Sequence, residues 1–237
     1  MKEKIGAIVL AAGQGKRMHT AVAKQFLELN GKPLVCYSLE AFENSPADEI
    51  VLVAGEQEVS YCETEIVKAY GFSKVKAVVP GGLERYHSVY EGLKAFCKTA
   101  DGSPDYVLIH DGARPLVSAE VIGRAIEGAI KYQACVVGMP VKDTIKVSDA
   151  SGFAAGTPDR KQLWQIQTPQ AFRFELILNA YEKMMSRLEY QAGITDDAMA
   201  VEAMTAQPVK LVEGDYRNMK VTTPEDLVVA GALLGSV

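Results

Sequence analysis

The chain has 237 residues, 48% hydrophobic and 23% charged, with a formal net charge of −5 at pH 7. That mixture excludes a disordered or fibrous protein, and the length suits one large α/β domain spanning residues 1–237. The acidic balance, the lack of any basic run interleaved with aromatics and the absence of a long apolar stretch or signal-peptide core exclude nucleic-acid and membrane partners, so a cytoplasmic protein with a small ligand is expected.

The first element is an apolar strand, Ile5 to Leu10, which runs into Ala11-Ala12-Gly13-Gln14-Gly15-Lys16-Arg17-Met18, with Lys24 shortly beyond. Glycines let backbone N–H groups converge on a polyanion, and the cations neutralise it, so the segment reads as a phosphate cradle. A P-loop needs Ser or Thr after its lysine, but Lys16 is followed by Arg17. A dinucleotide fingerprint needs a third glycine or alanine where Met18 stands, which counts against a nicotinamide-dependent reductase. A third kind of nucleotide site is therefore expected.

Beyond it, β-branched runs at Ile50 to Ala54, Val75 to Val79, Tyr106 to His110 and Ala134 to Met139 alternate with helical stretches at Pro33 to Phe42, Glu56 to Tyr70, Glu84 to Phe96 and Ser118 to Tyr132. Such alternation predicts a Rossmann-like, mostly parallel twisted sheet with helices on both faces. Ligands then bind outside the carboxyl ends of the strands, where Ala11 to Arg17, Gly81 to Arg85 and Asp111 to Arg114 would converge. From Val141 the alternation breaks. A strand over Val141 to Val147, a turn at Ser148 to Gly152 and a returning strand over Phe153 to Thr157 predict a β-hairpin arm within residues 141–164. An isolated hairpin is marginal in water, so either the parent domain or a second subunit must cover it, and a second subunit is the favoured expectation. The remainder reads as helix (Arg173 to Glu189), helix (Thr195 to Met204), strand (Val209 to Glu213), strand (Arg217 to Thr222) and a closing helix opened by Thr223-Pro224-Glu225-Asp226.

Cys36, Cys62, Cys97 and Cys135 are widely spaced and form neither a zinc pattern nor a disulfide framework. His19, His87 and His110 show no ligand spacing and read as loop, helix and strand-end residues.

Several motifs, taken together and in order, resemble the 2-C-methyl-D-erythritol 4-phosphate cytidylyltransferase family. They are Leu10-Ala11-Ala12-Gly13-x-Gly15-x-Arg17-Met18 with Lys24, Gly81-Gly82-x-x-Arg85-x-x-Ser88, His110-Asp111-x-Ala113-Arg114-Pro115, Asp143-Thr144-Ile145-Lys146, Thr168-Pro169-Gln170, Thr195-Asp196-Asp197 and Lys220-Val221-Thr222. The resemblance implies a CTP-dependent nucleotidyltransferase of isoprenoid synthesis, working as a homodimer through the arm, with Mg²⁺ bound mainly through the CTP phosphates; no carboxylate cluster of ligand spacing appears, so no side chain is assigned to the metal. It implies Arg17, Lys24 and Lys220 as the catalytic cations. It also implies Ala11, Ala12, Gly13, Gly15, Gly81, Gly82, Leu83, Arg85 and Ser88 for the nucleotide, and Asp111, Arg114, Thr144, Arg160 and Thr168 for the polyol phosphate, with Arg160 reaching the neighbouring subunit's site. Leu83 departs from the family's usual aspartate; backbone contacts survive that change, whereas a carboxylate contribution does not carry over.

The competing readings are a ribitol 5-phosphate cytidylyltransferase and a nucleotide-binding module without turnover. Methylerythritol is preferred over ribitol because Asp143 to Lys146, Asp159-Arg160 and Leu163-Trp164 resemble the methylerythritol family more closely.

Overall fold

The computed structural model describes residues 2–13, 23–99 and 102–235. Its centre is a seven-stranded sheet. The strands in chain order are β1 (Ile5–Ala11), β4 (Glu49–Ala54), β5 (Val75–Pro80), β6 (Tyr106–Asp111), β7 (Ala134–Pro140), β10 (Trp164–Arg173) and β11 (Lys210–Glu213). Two short hairpins stand apart, β2 (Glu28–Leu29) with β3 (Lys32–Pro33) and β8 (Val147–Ser148) with β9 (Ala154–Gly156). Across the sheet the order is β11-β7-β10-β6-β1-β4-β5, and β10 runs antiparallel to both neighbours while the other pairings are parallel.

Alternate residues of β1 feed opposite layers, as the pleat of a strand requires. Ala7, Val9 and Ala11 face α1 (Leu34–Glu43), the π-helical turn Cys62–Lys68 that continues α2 (Val59–Tyr61), and α4 (Ala119–Tyr132). Ile8 faces α3 (Arg85–Phe96), α5 (Phe174–Met185) and α6 (Asp197–Met204). The expected helices on both faces are thus present, and a strand buried on both faces is apolar along its whole length. A third cluster joins Leu29, Leu34, Ala113 and Val221 to Ala230 of α7 (Pro224–Leu234).

Local signals set the helix ends. The Ser118 and Asp196 side chains cap α4 and α6, accepting from Val121 N–H and Met199 N–H. Thr223 caps α7 with Pro224 at its first position, as expected.

Four expectations are corrected. The arm's ladder is Val147–Ser148 with Ala154–Gly156, extended by bonds from Asp149 N–H to the Phe153 carbonyl and from Val141 N–H to the Leu163 carbonyl; residues 142–146 are exposed and pair with no strand edge among the described residues. Arg217 to Thr222 is not a strand, because it lies away from the sheet edge and has a single bond of that type, from Val221 N–H to the Ala113 carbonyl at 2.8 Å. Trp164–Arg173, where the sequence reading assigns no element to residues 165–172, is the longest of the described strands. Its Gln167, Thr168, Pro169 and Gln170 disguise it as a loop, yet they are buried, and the ladder to β7 shifts register between Ile166 and Gln170. The helix expected from Arg173 to Glu189 also ends at Met185, followed by a 3₁₀ turn at Leu188–Gln191.

Candidate active site

The carboxyl ends of β1, β5 and β6 open into one cleft of about 360 Å³. Its walls bring together Ala12 and Gly13 after β1, Lys24 and Gln25 of a 3₁₀ turn, Gly82 to Arg85 and Ser88 around the start of α3, Asp111 and Ala113 after β6, and Lys220 from near the C-terminus. Convergence of polar groups from distant segments at this edge is what parallel topology provides.

Close packing explains the glycines after β5. A Cβ on Gly81 would stand 2.6 Å from Ala12 Cβ and 2.6 Å from Ser88 Oγ, and one on Gly82 would collide with His87. Gly82 N–H donates to Ser88 Oγ at 3.1 Å, so the turn is tied to the first turn of α3. On the other wall, the Gln25 amide donates to the Ala11 carbonyl, joining the 3₁₀ turn to the end of β1.

The floor is electrostatic. Asp111 Oδ2 accepts from Lys220 Nζ at 2.7 Å and Oδ1 accepts from Arg85 Nε at 3.2 Å. Burial would raise its carboxyl pKa, but Arg85, Lys220 and Arg114 outweigh that and hold it far below the ordinary carboxylate range. Beneath it, Asp111 N–H donates to Thr168 Oγ1 at 3.1 Å, and the Thr168 hydroxyl is 3.1 Å from His110 Nδ1. His110 Nε2 lies 3.2 Å from the Arg114 carbonyl oxygen, which makes the ring a neutral Nε2–H donor, and burial pushes its pKa down to about 4. Arg114 Nη1 donates to the Asn218 carbonyl at 2.8 Å, and Asn218 Nδ2 donates to the Thr168 carbonyl at 2.8 Å. Lys24 Nζ donates to the Val221 carbonyl at 3.3 Å, so its ammonium reaches the segment that carries Lys220.

Of the residues singled out in the sequence, Ala12, Gly13, Lys24, Gly82, Leu83, Arg85, Ser88, Asp111 and Lys220 line the cleft. Ala11, Gly81, Arg114 and Thr168 stand directly behind it, bonded to or packed on its walls. Thr144 and Arg160 do not line it: both are exposed on the arm, where Arg160 Nη1 donates to the Lys142 carbonyl at 2.8 Å. Gly15 and Arg17 lie outside the described residues. Leu83 is 94% exposed at the rim. Gln25, Tyr181 and Asn218 escaped the sequence reading. Gln25 sits beside Lys24, but nothing in its spacing distinguishes it from a surface amide.

Among the described residues no group of three or more His, Cys, Asp or Glu side chains could hold a metal ion. Asp111, the carboxylate in the cleft floor, has one oxygen on Lys220 and the other on Arg85. These residues do not form a protein-held Mg²⁺ site. Cys36, Cys62 and Cys135 are buried free thiols pushed up to about 12 by burial, and Cys97 is exposed and free. No described helix is long and apolar enough to cross a membrane.

The sheet is Rossmann-like and carries a glycine-lined, lysine-flanked cleft at its strand ends, and the family that the chain matches makes it a nucleotidyltransferase. The chain belongs to the family described as IspD, 2-C-methyl-D-erythritol 4-phosphate cytidylyltransferase, whose family model matches residues 5–236. A protein of that name from Lachnoclostridium phytofermentans is 52% identical over 233 residues, covering 98% of this chain and 97% of the relative. One from Lachnospira eligens is 47% identical over 229 residues, covering 96% and 98%. The crystal structure of 4-diphosphocytidyl-2C-methyl-D-erythritol synthase from Anaerococcus prevotii superposes with a TM-score of 0.84 at 33% identity, covering 98% of this chain and 96% of that one.

Proposed function

We propose that this chain joins CTP and 2-C-methyl-D-erythritol 4-phosphate to give 4-diphosphocytidyl-2-C-methyl-D-erythritol and pyrophosphate. Family membership supports the reaction, and the observation that carries its mechanism is the meeting of Lys24 and Lys220 beside the glycine turns after β1 and β5. A phosphate monoester has its second pKa near about 6, so the acceptor is largely ionised at neutral pH and needs no general base. Its oxygen bonds to the α-phosphorus of CTP while the bond from that phosphorus to the bridging oxygen of the β-phosphate breaks, releasing pyrophosphate. The remaining task is to hold two anions together and stabilise charge on the α-phosphate, which is work for fixed cations.

In this reading Lys24 and Lys220 neutralise the α-phosphate oxygens, and Arg17 meets the triphosphate. The backbone of Gly82 and Leu83, with Ser88, receives the base. Asp111, with Arg114 and Thr168 directly behind it, forms the polyol side of the site, completed in a homodimer by Thr144 and Arg160 from the partner's arm. The arm's exposed Ile145, Val147 and Phe153 support its burial against a second copy. Mg²⁺ would arrive with CTP, held by phosphate oxygens whose charge it offsets. The chain would act as one domain in the cytoplasm.

The test is CTP-dependent pyrophosphate release with methylerythritol 4-phosphate, run beside ribitol 5-phosphate. Removing one electrostatic stabiliser of a transition state costs about 10²–10³-fold in kcat, so Lys24→Ala and Lys220→Ala should each lose that much. Full activity in both variants would defeat the mechanism, and turnover confined to ribitol 5-phosphate would defeat the choice of acceptor.

A further inference from the structure

The floor of the cleft continues inward through an ion pair that the proposed reaction leaves without a role. Arg85, the first residue of α3, reaches Asp111 only through Nε. Its two terminal nitrogens grip Asp197, with Nη1 to Oδ1 at 2.9 Å and Nη2 to Oδ2 at 2.8 Å. Asp197 is fully buried at the start of α6. The Tyr181 hydroxyl of α5, also fully buried, donates to its Oδ1. Gln170 of β10 holds the backbone there, its Oε1 accepting from Asp197 N–H at 3.0 Å and Ala198 N–H at 2.9 Å while its Nε2 donates to Asp196 at 2.9 Å. Burial and the neighbouring Asp197 push the Tyr181 pKa well up, so the phenol stays protonated and donating.

The geometry divides one carboxylate between two cations. A guanidinium with a free fork takes both oxygens of a carboxylate, because two parallel N–H···O bonds are the stronger arrangement. Here the fork is already filled by Asp197, so Arg85 presents a single N–H to Asp111. The second Asp111 oxygen is thereby left for Lys220, at 2.7 Å.

We propose that Asp197, steadied by Tyr181, is a positioning residue: by occupying the fork of Arg85 it reserves one oxygen of Asp111 for the ammonium of Lys220 and so holds that cation at the cleft wall. The inference rests on the reading of Lys220 given above. Its elements come from α3, α5, α6 and β6, and a network of buried polar groups persists there although apolar residues of similar shape would often be as stable.

Asp197→Asn tests it, since the amide keeps the volume, loses the charge and turns an N–H toward the guanidinium. With the fork released onto Asp111 and Lys220 displaced, kcat for pyrophosphate release should fall about 10- to 100-fold, the cost of misplacing a catalytic group by about 1 Å. In a Lys220→Ala background the same substitution should cost less than about twofold, because the two act through one group. Tyr181→Phe leaves the ion pair in place and removes one bond; it should fold and show a smaller loss that likewise vanishes in the Lys220→Ala background. A crystal structure of Asp197→Asn should show both Asp111 oxygens in the fork of Arg85. Equal fold-losses in both backgrounds, or an unchanged Lys220 to Asp111 bond in that crystal, would overturn the proposal. Full activity of Lys220→Ala alone would instead overturn the reading of Lys220 and the catalytic consequence drawn here, and the crystal would still decide the division of the carboxylate.

Discussion

His110 should make this protein lose stability between neutral and mildly acidic pH. Its ring is fully buried at the end of β6, with the Phe42 ring 5.2 Å away, Thr168 at Nδ1 and the Arg114 carbonyl at Nε2. Asp111 and Arg114 are the charged groups beside it, with opposite effects, and burial prevails, lowering the pKa from 6.5 to about 4. A proton is therefore taken up first by the unfolded chain. The contribution of the neutral ring is complete above the unfolded pKa and is lost as pH falls from about 6.5 toward about 4. At about 1.4 kcal/mol for each tenfold rise in proton activity across that window, the loss is about 3 kcal/mol, or about 6–12 °C in Tm for a chain of this size. Urea unfolding at pH 7 and pH 4 measures it, with His110→Gln as the reference: glutamine offers an N–H toward the Arg114 carbonyl and does not titrate. Carboxylates that lose stability over the same range do so in both proteins, so the difference isolates the ring. A His110 resonance that titrates near 6.5 in the folded protein, or a glutamine variant that loses as much stability as its parent, would refute the reasoning.

Gly81→Ala should destabilise by about 1–3 kcal/mol, since the new methyl meets two short, rigid neighbours, and should raise KM for CTP; denaturant unfolding and initial rates check both. Phe153→Asp, at a side chain 74% exposed on the arm, should leave the unfolding free energy of the subunit within about 0.5 kcal/mol and shift sedimentation to monomer. An unchanged sedimentation coefficient counts against the arm as an interface. Thr223→Ala removes the hydroxyl that accepts from Asp226 N–H and should cost about 1 kcal/mol by thermal melting, with turnover per folded molecule unchanged.

The parallel strands were legible because burial on both faces demands apolar residues throughout: Ile50 to Ala54 and Tyr106 to His110 differ from the observed strands by one residue at an end. The closing helix was legible because Thr223-Pro224 fixes its start by local bonds alone. β10 was hidden for the opposite reason. Gln167, Thr168 and Gln170 are polar yet buried, each satisfied by a partner remote in the chain, namely Asp215, Asp111 and Asp196. The strand expected over Arg217 to Thr222 failed because strand propensity is expressed only where an edge is available to pair with.

What the sequence by itself determined was the set of local conformations and the kinds of chemistry on offer: apolar strands that end in glycine turns, capped helices, and lysines and an arginine beside those turns. Those depend on interactions between near neighbours, which order in the chain specifies. The tertiary structure alone decided which charges meet. Lys220 pairs with Asp111 across 109 positions, and Arg85 reaches Asp197 across 112, distances at which spacing carries no geometric information. Packing of α3, α5 and α6 on one face of the sheet brings the Arg85 fork onto Asp197, and that settles how Asp111 divides its two oxygens.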